Sequence, residues 1–506
     1  MKLLLSTIRT ENRTTDLILN NLYTIIEDTP IDARLRRFDP SDTDYDIYVH
    51  IIRERYAAVY FHCDQFNEVR INHICEMIKQ VSSTIIIVGG MEVSFDTRQY
   101  MTDNPYVDYV IRGEGEAIFY NFIRCMLIDE NDYEDIEGLA YRRGDEIYIN
   151  PYAESVDLEK MPFIYDKVNV REGDTIYYET IRGTSDRSIF QQFLPDVRVR
   201  SLPVGRVCTE VRYLIIKNVG KVVFLDRWFN FDADRAYRII EHIIFNDNNK
   251  TTFEMDLDGE NINEELVRLL EEARPGLLTF NVDIDTVKPD TLKAIGRESD
   301  DYQLMNNVSK LMRNSRINVR LKIKAGLPME TMGDFANTFN KVYGLGYGKS
   351  IIIETARVPR GCHLREDASK YGCVFTKHPP YDVLATSQIS GLEIIKIQSM
   401  AKVVKTYINE HFRLTIPHVL NDTALKPFDL FFSLSEFIYN YHLESRLKNK
   451  EDRYRVLYRF AVILYNELDN IKRIKALEET MKRDMSMNMT ADQVLAFERK
   501  GWDLDD

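Results

Sequence analysis

The apolar run Ile85–Val88 stops on two glycines, Gly89 and Gly90, and the chain continues M-E-V-S-F-D to Asp96. A short apolar run that ends on paired glycines reads as a buried strand leading into a sharp turn. Without Cβ atoms, the amides of such a turn can approach a large ligand closely. The same rhythm recurs on both sides. Strands are expected over Lys2–Ile8, Ile31–Phe38, Ala57–Cys63, Thr84–Val88 and Val107–Ile111, with helices over Asp16–Ile26, Asp46–Glu54 and Val69–Val81. Strands alternating with helices imply an α/β fold with a parallel, doubly wound (Rossmann-like) sheet, whose ligands bind at the strand C-terminal ends.

A chain of 506 residues exceeds one core, and four regions are expected. Residues 1–130 form the first sheet, and 131–174 form an acidic linker with a small hairpin. Residues 175–378 carry a second series of strands, near Ile176–Thr180, Lys221–Leu225, Thr252–Met255, Leu277–Val282, Val319–Lys324 and Ser350–Thr355. Six strand–helix units of this length suggest a partial β/α (TIM-like) barrel. Residues 379–506 are helical in pattern, with long segments over Ser387–Glu410, Asp429–Leu447 and Asp452–Met481, and the tail from Arg483 is expected to fray.

The net charge of −14 argues against a general nucleic-acid or anionic-membrane surface. The apolar run at the N-terminus is too short for a signal-peptide core, and no run would span a bilayer. Six scattered cysteines show no zinc or disulfide spacing, so a cytoplasmic setting is expected. Aromatic residues at helical spacing in the C-terminal helices read as core, and Cys362 beside His363 reads as a buried thiol.

Three turns carry a more specific signal: Phe61–Asn67 (F-H-C-D-Q-F-N), Val88–Asp96 and Arg112–Glu116 (R-G-E-G-E). Their order and spacing resemble the cobalamin-binding domain of cobalamin-dependent radical S-adenosylmethionine enzymes, where the patterns are F-x-C-x-x-W-N, G-G-P-E-V-S-Y and G-E-G-E. Here Phe66 stands for Trp and Met91 for Pro. The resemblance implies cobalamin as cofactor, held by Cys63, Phe66, Asn67, Gly89, Gly90, Glu92, Val93, Ser94, Gly113, Glu114, Gly115 and Glu116. No D-x-H-x-x-G follows the first strand, and His62 and His73 read as structural residues. Cobalamin is therefore expected with its own base displaced and no histidine on cobalt.

The second series is similar to the barrel of the same family. Glu179–Gly183 (E-T-I-R-G) stands where the family has E-x-S-R-G-C, and Leu225–Asn230 reads L-D-R-W-F-N. Thr279–Arg297, Ala325–Glu330, Arg360–Gly372 and Pro379–Leu384 also keep its patterns. Glu179, Arg182, Asp226, Arg227, Asp283, Asp285 and Gly326 are the barrel-mouth residues this implies. The departure is that Thr184, Ser188 and Gln191 occupy the three positions of the cluster cysteines. Hydroxyls and an amide do not replace thiolates on iron, so no metal site and no 4Fe–4S cluster are expected. S-adenosylmethionine loses its anchor. Asp283 and Asp285 would repel its carboxylate, or equally accept its amine or bind a different cation, or are solvated acidic residues at a disused mouth.

The leading expectation is a cobalamin-binding pseudo-enzyme that serves as a partner or carrier in a methylation or peptide-modification system. Its partner would be an active radical homologue, a peptide or a small-molecule substrate, with neither nucleic acid nor membrane involved. The alternatives are a non-radical cobalamin-dependent methyltransferase and a scaffold that has lost both cofactors.

Overall fold

A computed structural model describes residues 1–10, 15–128, 132–183, 188–192, 198–297, 301–346, 350–408, 412–467 and 471–502. The chain divides into two compact units. The first comprises Met1–Asp256, Arg357–Asp367 and Thr376–Tyr381; the second comprises Leu257–Ala356, Ala368–Phe375 and Asp382–Asp506.

The first unit opens with strand β1 (Lys2–Ile8), helix α1 (Thr15–Ile25), β2 (Asp32–Phe38), α2 (Asp44–Glu54), β3 (Ala58–His62), α3 (Glu68–Val81) and β4 (Ile85–Gly89). Short helices α4 (Met91–Ser94) and α5 (Thr97–Asp103) lead to β5 (Tyr109–Ile111) and α6 (Gly115–Ile128). The five strands are parallel in the order β2-β1-β3-β4-β5. The acidic stretch after α6 carries a hairpin, β6 (Leu139–Arg143) and β7 (Glu146–Ile149), which adds to β5 as an antiparallel edge.

Both faces of this sheet are covered, which is why its central strands are continuous apolar runs rather than alternating ones. Successive side chains of β3 still point to opposite sides. Val59, Phe61 and the following Cys63 enter the core that contains Ile47, Ile71 and Ile74 of α2 and α3. Ala58 and Tyr60 enter the core that contains Leu19 and Leu22 of α1 with Phe119 and Phe122 of α6. His62 therefore stands on the α1/α6 side, at the end of its strand.

The first unit continues through β8 (Thr175–Tyr178), a short antiparallel pair β9 (Ile181–Arg182) and β10 (Arg200–Ser201), α7 (Val204–Ile216), β11 (Lys221–Phe224), α8 (Ala233–Phe245) and β12 (Thr252–Leu257). Strand β11 pairs in parallel with β8 on one side and β12 on the other.

The second unit repeats the strand–helix pattern with α9 (Glu264–Leu270), β13 (Leu278–Asp285), α10 (Pro289–Ala294), α11 (Asp301–Arg313), β14 (Asn318–Ala325), α12 (Met332–Leu345) and β15 (Ile351–Thr355). Strands β13, β14 and β15 are parallel neighbours. Residues Arg357–Asp367 return to the first unit with the one-turn helix α13 (His363–Glu366). The second unit then adds β16 (Val374–Phe375), antiparallel to β17 (Val383–Ala385), and the helices α14 (Gly391–Tyr407), α15 (Thr415–Thr423), α16 (Pro427–Asn440), α17 (Lys450–Glu467), α18 (Ile474–Asn488) and α19 (Ala491–Lys500).

The expected single segment Asp452–Met481 is thus two helices, and the chain beyond Arg483, expected to fray, is helical over Ala491–Lys500. Asp484 of α18 is fully buried and accepts N–H bonds from Leu414 and Thr415, which satisfies the open end of α15. A Thr490–Gln493 capping box starts α19, and Phe497 is buried against Trp502 and Arg455. Among the described residues, no helix is long and apolar enough to cross a membrane.

Candidate functional site

The strand order of the first sheet reverses between β1 and β3, the place where a doubly wound sheet receives its ligand. A cavity of ≈ 360 Å³ opens there. Tyr60, His62, Cys63 and Asp64 wall it from β3, and Gly90 and Met91 from the turn after β4. Ile111 and Gly113–Glu116 close another side, and Leu17, Ile18 and Leu22 of α1 supply an apolar wall. Glu179, Arg182 and Arg227 reach it from the second series of strands.

Of the residues assigned to cobalamin from sequence, Cys63, Gly90, Gly113, Glu114, Gly115 and Glu116 face this cavity. The others do not line it. Ser94 donates its hydroxyl to the Gly90 carbonyl and accepts the Gly113 N–H, both at 2.9 Å, and so ties the two glycine turns together. Asn67 accepts the Asp64 N–H at 2.9 Å and donates to Thr7 and to the carbonyls of Ile8 and His62, pinning β1 to β3. Val93 is core. Phe66 is 37% exposed and lies beneath the Arg357 guanidinium. Glu92 turns to Tyr381 and Arg360, and burial raises its pKa to about 7.

The glycines also have a reason within the fold itself. Gly90 has φ 116°, and a Cβ on it would fall on the Cys63 carbonyl oxygen. A Cβ on Gly89 would meet the Tyr60 ring. Glycine is required here by the protein's own strand ends, before any ligand arrives.

His62, read as structural, also lines the cavity. It is 4% exposed, and burial lowers its pKa to about 4, so the imidazole is neutral. Nδ1 is sealed from solvent without a hydrogen-bond partner. The other expected structural histidine, His73, sits on the exposed face of α3 beside Asp44.

Charge on the cavity wall is paired. Arg182 bonds Glu116 at 2.5 Å and Glu179 at 2.9 Å, and lies 3.6 Å from Glu114, which Arg200 holds at 2.6 Å. Burial pushes the Glu116 carboxyl up, but the Arg182 charge outweighs it and leaves the pKa low. At Glu179 burial wins, and the pKa is raised. Asp226 is a loop clamp rather than a mouth residue: it accepts the N–H groups of Thr180 and Ile181 at 2.7 and 2.9 Å. Burial raises its pKa to about 6.

Thr184 lies outside the described residues. Ser188 is buried, and its carbonyl accepts the Gln191 N–H at 3.0 Å. This segment is stitched to Arg357–Asp367: the Leu364 N–H donates to Ile189 O, and the Gln192 amide donates to Arg360 O, both at 2.9 Å.

In the second unit, Asp285 at the end of β13 is held by Lys324 at 2.6 Å and Arg297 at 3.0 Å, and Asp283 lies 3.4 Å from Lys322. Burial raises the Asp285 pKa, but the two cations overcome it and hold it below the ordinary value. Each carboxylate thus has a cation of its own beside it. Gly326 (φ 80°) packs its turn against Ile394 and Val383.

Residues 5–123 match the B12-binding domain family, and residues 369–500 match a family described as proteins of unknown function, DUF4080. The anaerobic magnesium-protoporphyrin IX monomethyl ester cyclase of Cereibacter sphaeroides is 21% identical over 280 residues, 52% of this chain and 45% of its own length. The cobalamin-dependent radical SAM methyltransferase TokK of Streptomyces tokunonensis is 29% identical over 92 residues, 18% of this chain and 14% of its own. The chain spans less than half the length of these curated relatives. Among solved structures, the cobalamin-dependent S-adenosylmethionine radical enzyme OxsB superposes with a TM-score of 0.62 at 15% identity, over 99% of this chain and 83% of that one. The radical S-adenosylmethionine methyltransferase TsrM from Kitasatospora setae, with cobalamin and a 4Fe–4S cluster bound, gives 0.58 at 16% identity, over 77% and 80%. Residues 5–123 are thus a B12-binding domain, carried in a chain with the fold of the cobalamin-dependent radical S-adenosylmethionine enzymes.

Proposed function

We propose that this chain binds cobalamin over the first sheet and does no radical chemistry, serving as a cofactor-holding partner in a methylation or peptide-modification system. The observation that carries the reading is the cavity at the β1/β3 reversal of a B12-binding domain. Its size would suit one arm of a corrinoid. Leu17, Ile18, Leu22, Tyr60 and Ile111 offer an apolar slot for the flat base of the nucleotide tail. Gly113 and Gly115 put no side chain between the tail and the amides that open α6.

Bound cobalamin would supply a cobalt that carries and releases a methyl group. The chain's own residues hold and orient it. Nothing among Thr184, Ser188 and Gln191 provides the thiolates a 4Fe–4S cluster needs. S-adenosylmethionine therefore lacks the open iron that would chelate its methionine end, and weak or no binding is expected for that reason alone.

Anaerobically purified and reconstituted protein, titrated with hydroxocobalamin and then gel-filtered, tests the reading. Retained cobalamin without iron, sulfide or 5′-deoxyadenosine is expected. A reducible brown cluster would overturn the second half, and failure to retain any corrinoid would overturn the first. Protein-dependent S-adenosylhomocysteine, formed from labelled S-adenosylmethionine with methylcobalamin, would make the chain a polar methyltransferase instead.

A further inference from the structure

We propose that Arg357–Asp367 is a strap through which the glycine turn after β4 governs Ser188–Gln192, so that a ligand seated against the turn tightens that stretch. The inference rests on the cobalamin reading above for the identity of the ligand, and otherwise on contacts inside the first unit.

The strap is fastened first to α4. Arg360 Nε lies 3.0 Å from a Glu92 carboxylate oxygen and donates to the Tyr381 hydroxyl at 2.9 Å, and that hydroxyl donates to the same carboxylate. Gly361, at φ 76°, lays its backbone on the Phe95 ring, where a Cβ would stand 2.3 Å from a ring carbon. The Arg357 guanidinium covers the Phe66 ring, in the turn after β3. Three strap residues thus hold the turns around the cavity, and none of the three lines it.

The second fastening is to Ser188–Gln192. The Leu364 N–H bond to Ile189 O and the Gln192 amide bond to Arg360 O are joined by an antiparallel bridge between Gln192 and Cys362. Cys362 and Leu364 are buried, so water does not compete for this seam. Arg360 therefore serves both fastenings, with its guanidinium on Glu92 and its carbonyl on Gln192.

Glu92 is tied to the cavity by its own helix. Gly90 and Met91 wall the cavity, and Ser94 bonds both the Gly90 carbonyl and the Gly113 N–H. A single turn of helix has little hydrogen-bond ladder of its own and takes its position from the ends it joins. The catch is also closely balanced. Burial raises the Glu92 pKa to about 7 against the pull of Tyr381 and Arg360, and Glu68 and Arg365 are the other charges that act on it. A small shift of α4 therefore changes how firmly Arg360 is held.

Hydrogen–deuterium exchange read by mass spectrometry, on the full chain with and without hydroxocobalamin, tests the strap. Retained corrinoid should slow exchange over Ser188–Gln192 and at Leu364 by at least about fivefold. Arg360→Met keeps the carbonyl that Gln192 uses and removes the guanidinium, so this variant should retain corrinoid without the slowing. A second arm needs no cofactor. Glu92→Ala changes only the α4 side, yet exchange over Ser188–Gln192 and at Leu364 should quicken by a similar factor. Unchanged exchange in α18 and α19 shows that the variant is folded. Retained corrinoid without slowing, slowing that survives in Arg360→Met, or no response to Glu92→Ala overturns the coupling and leaves cobalamin binding standing. Failure to retain corrinoid overturns cobalamin binding, and the coupling then stands or falls with the response to Glu92→Ala.

Discussion

Two sets of parallel strands end in polar residues here, and they end in opposite conditions. Over β3–β5 the strand ends open into a cavity whose wall holds a neutral imidazole with a sealed, unpartnered nitrogen. At the ends of β13 and β14, Asp285 has two cations, and Arg297 also bonds the Asp283 carbonyl at 3.1 Å and Glu260 at 3.3 Å. The second arrangement has more charge and less bonding capacity left for anything else. A surface prepared for a ligand is marked by unspent hydrogen-bonding or lone-pair capacity, and the number of ionisable residues says little.

The strongest test removes Asp285. Asp285→Ala leaves Lys324 and Arg297 as neighbouring buried cations, and a loss of about 3–5 kcal/mol is expected in the denaturant transition of the second unit. A loss below about 1 kcal/mol would mean that water already solvates the cluster and that it is not closed. A smaller effect is expected at Gly90→Ala. The added Cβ meets the Cys63 carbonyl, and φ 116° is strained for any side chain. About 2 kcal/mol should be lost from the protein without cobalamin. If stability is unchanged and only corrinoid retention falls, the glycine serves the ligand after all.

The first sheet was legible because parallel strands buried on both faces are written as continuous apolar runs, as at Ile85–Val88. The same property hid His62. Where both sides of a strand are buried, alternation does not say which side opens into a cavity, and a histidine there reads as core. The glycine turns were found for a reason that turned out incomplete, since the atoms a Cβ would strike, on Cys63 and Tyr60, lie 27 and 29 positions away. The ion pairs of Asp285 involve residues 12 and 39 positions away, so no local pattern announces them. The tail helix was masked by its polar composition, although Thr490 and Gln493 do spell a capping box.

A still smaller effect separates unspent capacity that is buried from capacity that faces a cavity. Glu330, after β14, accepts the Thr286 hydroxyl at 2.6 Å through one oxygen, while the other is buried without a partner. Burial raises its pKa from 4.5 to about 8. The folded chain thus keeps a proton that the unfolded chain gives up. Stability from this group is full below about pH 4.5 and falls as pH rises towards 8. Glu330→Gln should flatten that slope and stabilise the second unit by about 1–2 kcal/mol near pH 8. An unchanged slope would place the carboxyl in contact with water.

The smallest effect is expected at His62→Phe in the absence of cobalamin, and it bears most directly on the comparison. If the imidazole served the fold, its loss would cost as much as any buried hydrogen-bonding group. It has no hydrogen bond to lose, however, and at neutral pH it carries no charge. Phenylalanine removes the unmatched Nδ1 and fills nearly the same space. Stability near pH 7 should therefore stay within about 1 kcal/mol of the original, on the favourable side. The pH dependence should change more than the magnitude. With the folded pKa lowered from 6.5 to about 4, the unfolded chain binds a proton the folded one refuses, so stability contributed here is lost as pH falls through that window. The variant should lack this loss. A clear destabilisation at neutral pH would show that His62 holds the strand end together, and the distinction between an open and a closed set of strand ends would then fail at the residue that defines it.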